Sequence, residues 1–268
     1  MFVVMIREIY NYIFVELSAP LSREWPLISS PFPLMLIIFG YLYFVLYAGP
    51  RYMEDRPPYK LKTFISLYDL IQILANLWMV QEHISFGWFS KYGIICSGQP
   101  PDFPNTLKMF SSIWWLFLLK IFDLIETCLF VLRKKQNQVS NLHVYHHVSN
   151  IFFAWLYLKY ILDERATLFS LLNCAVHVIM YMYYFVSAMG PKYQQIISPF
   201  KPFITRIQMV QFLALIICVL QILNPACPVQ MKFHSVVAVM FVGNLLIFLY
   251  LFNNFYKKSY TNVSKEKN

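Results

Sequence analysis

Residues 110–147 read FSSIWWLFLLKIFDLIETCLFVLRKKQNQVSNLHVYHH. Up to about 132 the stretch is apolar over more than the roughly 20 helical residues that cross hydrocarbon. Arg133, Lys134 and Lys135 end it, and a second apolar run begins near 139 and continues past three histidines. Two membrane-spanning helices joined by a short basic loop account for this alternation, because a helix satisfies its own backbone inside lipid. The unusual feature is what the two runs carry. Lys120, Asp123, Glu126 and Thr127 recur at i, i+3, i+6 and i+7, on one helical face, and His143, His146 and His147 open the second run. Ionisable groups inside a bilayer are costly and mark functional sites.

The rest of the 268-residue chain has the same character. Hydrophobic residues make up 59% and charged residues 13%, too little charge to cover a water-soluble globule of this length. Seven apolar stretches are predicted to span, near 31–49, 62–83, 110–132, 139–161, 166–188, 203–224 and 233–255. The fold class is therefore an all-α integral membrane protein with seven transmembrane helices. Residues 1–30 form an amphipathic N-terminal segment, 31–255 the seven-helix catalytic domain, and 256–268 a C-terminal tail. No cleavable signal peptide is expected, since Arg7, Glu8, Asn11 and Glu16 interrupt any apolar core near the start.

A net charge of +9 raises the question of nucleic acid, but the basic residues lie between apolar runs rather than on one soluble face, which argues against it. Arg51, Arg56, Lys60 and Lys62, Arg133 to Lys135, Lys192, Lys201 and Arg206, and Lys257, Lys258, Lys265 and Lys267 fall on one side. The other side has only Arg7, Arg23, Lys91, Lys108, Lys159, Arg165 and Lys232, half as many. The bias predicts a luminal N-terminus and a cytosolic C-terminus. Cys96 and Cys227 then both lie in luminal loops, where a disulfide between them is expected, with two free loop thiols as the alternative.

Polar groups recur in the later spans. Asn173, Cys174, His177, Tyr181 and Tyr184 form a stripe in the fifth, and Thr205, Gln208 and Gln211 share a face of the sixth. At 1.5 Å per residue, His146 lies roughly 10 Å from the cytosolic end of its span, His177 about 16 Å and Lys120 about 18 Å. Four helices thus place polar groups in one layer displaced toward the cytosol. Interhelical pairing that merely holds a bundle together is the simpler account of any one such group. Four histidines, two acids, a lysine and two glutamines at similar depth exceed that need, and a polar chamber is expected.

Two chemistries fit. Di-iron centres of membrane oxidases need about eight histidines, and the chain has six. The HVYHH turn has enough ligands for one zinc ion, although no metal is expected. Acyl transfer fits better: a neutral imidazole attacks a thioester once a neighbour holds its tautomer or takes its proton. Cys174, one turn before His177, is the rival nucleophile, but nothing cationic beside it is evident, and a small buried hydrophobe is the simpler reading. A seven-span receptor or a transporter is the other class considered. Receptor sites usually open away from the cytosol and a transporter needs polar groups on both sides, neither of which this layer supplies.

At these residues the chain resembles the ELO family of very-long-chain fatty-acid elongases, animal type. The likeness runs from GPRYMEDRPPYKLK at 49–62 through FVLRKKQNQVSNLHVYHH at 130–147, HVIMYMYY at 177–184 and TRIQMVQF at 205–212 to LFNNFYKKSY at 251–260. The family's KxxExxDT stands here as Lys120, Asp123, Glu126 and Thr127, with both acids exchanged in length. The resemblance implies six helices in an inverted-repeat barrel around an acyl tunnel, and an endoplasmic-reticulum enzyme condensing acyl-CoA with malonyl-CoA to 3-oxoacyl-CoA. It also implies a ping-pong route through an acyl-imidazole, with no cofactor. Within that frame His146 is the expected nucleophile and His177 the proton partner. His143 and His147 orient the thioester, while Lys120, Asp123 and Glu126 balance charge and fix tautomers. Gln208, Gln211, Tyr181, Tyr184 and Asn173 line the path of the substrate. Lys134, Lys135, Lys201 and Arg206 are either contacts for the CoA phosphates or topology signals. Expected partners are the bilayer, a homo-oligomer and the other elongation-cycle enzymes.

Overall fold

A computed structural model describes residues 2–90, 94, 106–221 and 232–261, with side chains for all of these except 232–235. The described residues are helical with short connections. In chain order the helices are α1 (Phe2–Asn11), α2 (Pro31–Tyr43), α3 (Gly49–Met53), α4 (Lys62–Ser85), α5 (Thr106–Phe122), α6 (Leu124–Leu132), α7 (Asn141–Leu156), α8 (Thr167–Ala188), α9 (Pro191–Ile197), α10 (Lys201–Leu220) and α11 (Lys232–Tyr256). Cys96 and Cys227 lie outside the described residues.

Five stretches are long and apolar enough to cross a membrane: Pro31–Met53, Lys62–Ser85, Thr167–Ala188, Pro191–Leu220 and Val236–Thr261. Two of the seven predicted spans are not among them, and these are the two that open the sequence argument. The third expected span is not one continuous helix. Asp123 forms a turn between α5 and α6, with the Glu126 amide donating to the Asp123 carbonyl at 3.2 Å. The fourth is α7 followed by a wider-wound turn at Tyr157–Ile161, ending at Leu162 with a left-handed φ of 43°. The chain is a multi-pass membrane protein, and α5 with 17 residues and α6 with 9 are each shorter alone than the roughly 20 that cross hydrocarbon.

The chain divides into two compact units, Met1–Tyr59 with Ile113–Asp163, and Lys60–Ser112 with Glu164–Asn268. In the first unit α2 starts at a Ser30 cap, whose hydroxyl accepts from the Phe32 amide at 3.3 Å, with Pro31 supplying the first helical residue. The connection before α2 is pinned to the core. Trp155 Nε1 donates to the Leu27 carbonyl and Trp114 Nε1 to that of Pro26, both at 3.0 Å, while buried Lys159 Nζ donates to Ser29 at 2.9 Å. By contrast α1 is largely exposed, with Phe2, Val3, Val4, Met5, Ile6 and Ile9 outward, as an apolar surface meant for lipid would be. The core of this unit gathers Ile28, Val45, Phe117, Val131, Ile151 and Leu158. In the second unit α4 and α8 are antiparallel neighbours. Lys62 at the start of α4 donates to the Met189 carbonyl just past α8 at 2.8 Å, and Trp88 beyond its other end donates to Thr167 at 3.0 Å. α10 packs on both α8 and α11.

Gly49 shows how closely the first unit packs. A β-carbon there would lie 2.8 Å from both the Phe44 carbonyl oxygen and Val131 Cγ1. Gly49→Ala is therefore expected to destabilise by about 1–3 kcal/mol, seen as a lower thermal midpoint in detergent. An unchanged midpoint would refute the close approach of α3 to α6.

Candidate functional site

The first unit carries the histidine turn. Ser140 caps α7, its hydroxyl accepting from the His143 amide at 3.2 Å. The cap sets the helix start, so His143 and His147 share one face and meet edge-on, ring centroids 4.4 Å apart, with His146 and His147 at 5.4 Å. The neighbouring α6 supplies their partners. The Tyr41 hydroxyl donates to Thr127 Oγ1 at 2.9 Å, and Thr127 Oγ1 lies 2.9 Å from His143 Nε2. Thr127 is fully buried. A hydroxyl has one hydrogen and two acceptor sites, so Thr127 links the phenol to the imidazole whichever ring nitrogen of His143 holds the proton.

Glu126 Oε2 lies 3.8 Å from His147 Nε2, a charge contact longer than a hydrogen bond. Lys120 Nζ and Asp123 Oδ2 pair at 3.3 Å, both nearly fully buried. The four polar residues expected on one face of the third span thus divide. Lys120 and Asp123 pair across the break between α5 and α6, while Glu126 and Thr127 engage the histidines. Donor atoms of Glu126, His143 and His147 all lie within 4.8 Å of one another, close enough to hold a single metal ion.

His146 has a partner that the sequence argument missed: the Asn150 side-chain amide, 3.0 Å from its Nε2 and one turn further along α7. Asn150 follows the HVYHH pattern at i+4 from His146, so helical spacing alone singles it out once α7 is drawn past His147.

The second unit carries the other expected residues. His177 and Tyr181 are buried, with ring centroids 5.7 Å apart, and Tyr184 lies 5.9 Å from Tyr181. Asn173 is half-buried, and Cys174 is fully buried as a free thiol. Gln208 Nε2 lies 3.5 Å from Met180 Sδ. Gln211 is buried, and its Nε2 has no hydrogen-bond partner among the described residues. Sequence reasoning passed over a stripe on α4: Tyr68, Asp69, Gln72 and Asn76 are all buried, and Tyr68 meets Tyr181 edge-on at 6.1 Å. The same i, i+3, i+4 rule that marked the third span marks this one.

The basic residues separate by exposure. Lys134 and Lys135 are exposed in the turn after α6, where Lys134 Nζ donates to the Glu54 carbonyl at 3.0 Å. Lys201 and Arg206 are exposed on α10, and Arg206 Nε donates to the Tyr256 hydroxyl at 2.7 Å.

An all-helical multi-pass membrane protein with a capped histidine turn held by a buried threonine and glutamate is the class these features define. The match to known proteins is specific: the model of the GNS1/SUR4 (ELO) family covers residues 26–268, and the chain belongs to that family. It is 38% identical over 246 residues to a very long chain fatty acid elongase of Aedes aegypti, spanning 90% of this chain and 66% of that one. Very long chain fatty acid elongase 7 of Drosophila melanogaster and elongase 4 of Homo sapiens are each 34% identical over 248 residues. Those alignments cover 91% of this chain and 73% and 76% of theirs, respectively.

Thr127→Val keeps the shape of the side chain but leaves the Tyr41 hydroxyl and His143 Nε2 without their shared partner. The expected cost is about 1–3 kcal/mol, read as a lower unfolding midpoint in detergent, with Thr127→Ser close to wild type. Equal behaviour of the valine and serine variants would remove the hydroxyl from the argument.

Proposed function

We propose that the protein is a fatty acid elongation enzyme that condenses a long-chain acyl-CoA with malonyl-CoA to give 3-oxoacyl-CoA, CoA and CO2. The observation that carries this reading is the division of labour among the three histidines of α7. His143 and His147 are engaged by Thr127 and Glu126 of the adjacent helix, whereas His146 meets the neutral amide of Asn150. Asn150 Nδ2 can only donate, so Nε2 of His146 accepts, its lone pair is aimed and the ring proton lies on Nδ1. That lone pair attacks once the substrate displaces the amide, and rings tied to a hydroxyl and a carboxylate are suited to hold a carbonyl or relay a proton.

In the first half-reaction an imidazole nitrogen of His146 attacks the thioester carbonyl. The C–S bond breaks, and CoA leaves as the thiol with the proton that the imidazole gives up. In the second, malonyl-CoA loses CO2, and the electrons of the broken C–C bond become an enolate whose carbon attacks the acyl-imidazole. The C–N bond then breaks, and the imidazolide that leaves takes up a proton from solvent, the one proton that the overall condensation consumes. Lys120 and Asp123, paired and buried, together with Glu126, balance charge near these steps. The proton-partner role of His177 and the substrate-lining roles of Asn173, Tyr181, Tyr184, Gln208 and Gln211 belong to the second unit and are proposed on the sequence pattern. Lys134, Lys135, Lys201 and Arg206 are proposed for the CoA phosphates, and their exposure supports that role. The relatives named as elongases support the reading as a whole.

Seven crossings, with six helices in the inverted-repeat barrel implied by the resemblance, a luminal N-terminus, a cytosolic C-terminus and an endoplasmic-reticulum location are parts of the same proposal. So are the Cys96–Cys227 bridge, self-association and partnership with the other elongation-cycle enzymes. The route uses no cofactor, since both CoA esters are substrates.

The test is intact-protein mass spectrometry after incubation with long-chain acyl-CoA alone. An acyl-sized adduct is expected on wild type and on Cys174→Ala, and none on His146→Ala. An adduct that survives in His146→Ala and disappears in Cys174→Ala would move the nucleophile to sulfur.

The Glu126–His143–His147 grouping favours one second reading, a bound metal ion. Chelator-treated protein is expected to retain elongation activity. Loss of activity that returns on adding zinc would support the metal instead.

A further inference from the structure

Where α10 and α11 meet, the second unit has a surface groove of about 600 Å³, within the size range of small-molecule sites. Its floor is apolar, with Val210 and Leu213 from α10 and Leu249 and Tyr250 from α11, and Arg206 and Asn253 stand at one end. Arg206, Val210 and Leu213 recur at i, i+4 and i+7, so they share a face of α10 turned away from buried Gln211. Both walls belong to stretches long and apolar enough to cross a membrane, Pro191–Leu220 and Val236–Thr261, which sets the floor against hydrocarbon. Arg206 Nε donates to the Tyr256 hydroxyl at 2.7 Å, and the guanidinium lies 5.2 Å from the centroid of the same ring. That tether takes one of its five N–H donors. Among the described residues no carboxylate pairs with Arg206. The chain has no Asp or Glu at all between Glu164 and Glu266, whereas Lys257 and Lys258 are exposed directly after Tyr256.

A cation without a counter-charge thus stands directly beside an apolar floor. A free anion would leave the floor uncovered, and a hydrocarbon chain alone would leave the guanidinium unanswered. The occupant must join an anion to an acyl chain by a short link, because Arg206 and Val210 are one helical turn apart, about 6 Å. An acyl-CoA does not meet that spacing, since its pantetheine arm separates the phosphates from the acyl chain. In a phospholipid only the glycerol ester intervenes, and a phosphate suits the planar donors of arginine. A headgroup with a balancing amine would bring a further cation among Arg206, Lys257 and Lys258. We propose that the α10–α11 groove binds an anionic phospholipid, with its phosphate on Arg206 and one acyl chain along Val210 and Leu213. The site lies beyond the condensation chemistry. It gives Arg206 a lipid phosphate in place of those of CoA and leaves Lys134, Lys135 and Lys201 for the nucleotide.

Native mass spectrometry of the full-length protein in detergent tests the site with phosphatidylglycerol and phosphatidylcholine of identical chains. Wild type is expected to hold one phosphatidylglycerol about tenfold more tightly than phosphatidylcholine. Arg206→Gln is expected to erase that preference and Arg206→Lys to keep part of it. Val210→Trp, which fills the floor, is expected to weaken binding of both lipids by about tenfold. Arg206 and Val210 are both exposed, so neither substitution enters the core, and each variant reports separately should the other fail to fold. Equal binding of the two lipids by wild type, or a preference unchanged in Arg206→Gln, overturns the proposal. Displacement of bound phosphatidylglycerol by excess desulfo-CoA does the same and returns Arg206 to CoA. A dimer that Val210→Trp splits without changing lipid binding also overturns it, making the groove a seat for a second copy of the chain. Wild type that shows the expected lipid pattern but forms no 3-oxoacyl product from acyl-CoA and malonyl-CoA upholds the lipid site and sinks the condensation.

Discussion

A polar group inside a membrane-spanning helix has no water to turn to, so each one must find its partner within the protein. That constraint organises both units. In the first it ties Tyr41, Thr127 and His143 into a single chain of hydrogen bonds and sets Glu126 against His147. The arrangement is narrow in its demands. The single hydroxyl of Thr127 must serve a phenol on one side and an imidazole on the other. In the second unit the same constraint is met only in part, since Asp69 Oδ2 and Asn76 Oδ1 of α4 have no hydrogen-bond partner among the described residues.

Much of this was legible from residue order. The alternation of apolar runs with basic breaks located the helices, because crossing hydrocarbon requires about 20 residues and a helix satisfies its own backbone. The HVYHH turn and the face containing Glu126 and Thr127 were marked by ionisable residues where none is cheap. The break at Asp123 was not legible. A lysine and an aspartate three residues apart suit an unbroken helix as well as a turn, and only the packing of α5 and α6 decides between them. Asn150 and the α4 stripe escaped for another reason. Asn, Gln and a lone Asp in a long apolar run are weak signals individually, and their significance is that they are buried together, a property of three-dimensional packing.

The two units also differ in how they hold their polar load. Glu126, Thr127 and the three histidines of α7 are each matched to another side chain at a defined distance, so the first unit is preorganised by its own contacts. Preorganisation of this kind suits a group that must attack, because its orientation is set before the substrate arrives.

The Ser140 cap has a consequence for how such a sequence can change over time. Because the cap decides where α7 begins, it also decides its rotational phase, and each residue of an α-helix turns the chain by about 100°. One residue inserted between Ser140 and His143 would swing all three histidines away from Thr127 and Glu126 at once, whereas an insertion in the basic turn at 133–138 falls before the cap and leaves that phase alone. The dozen residues that begin with Ser140 are therefore heritable only as an indivisible block.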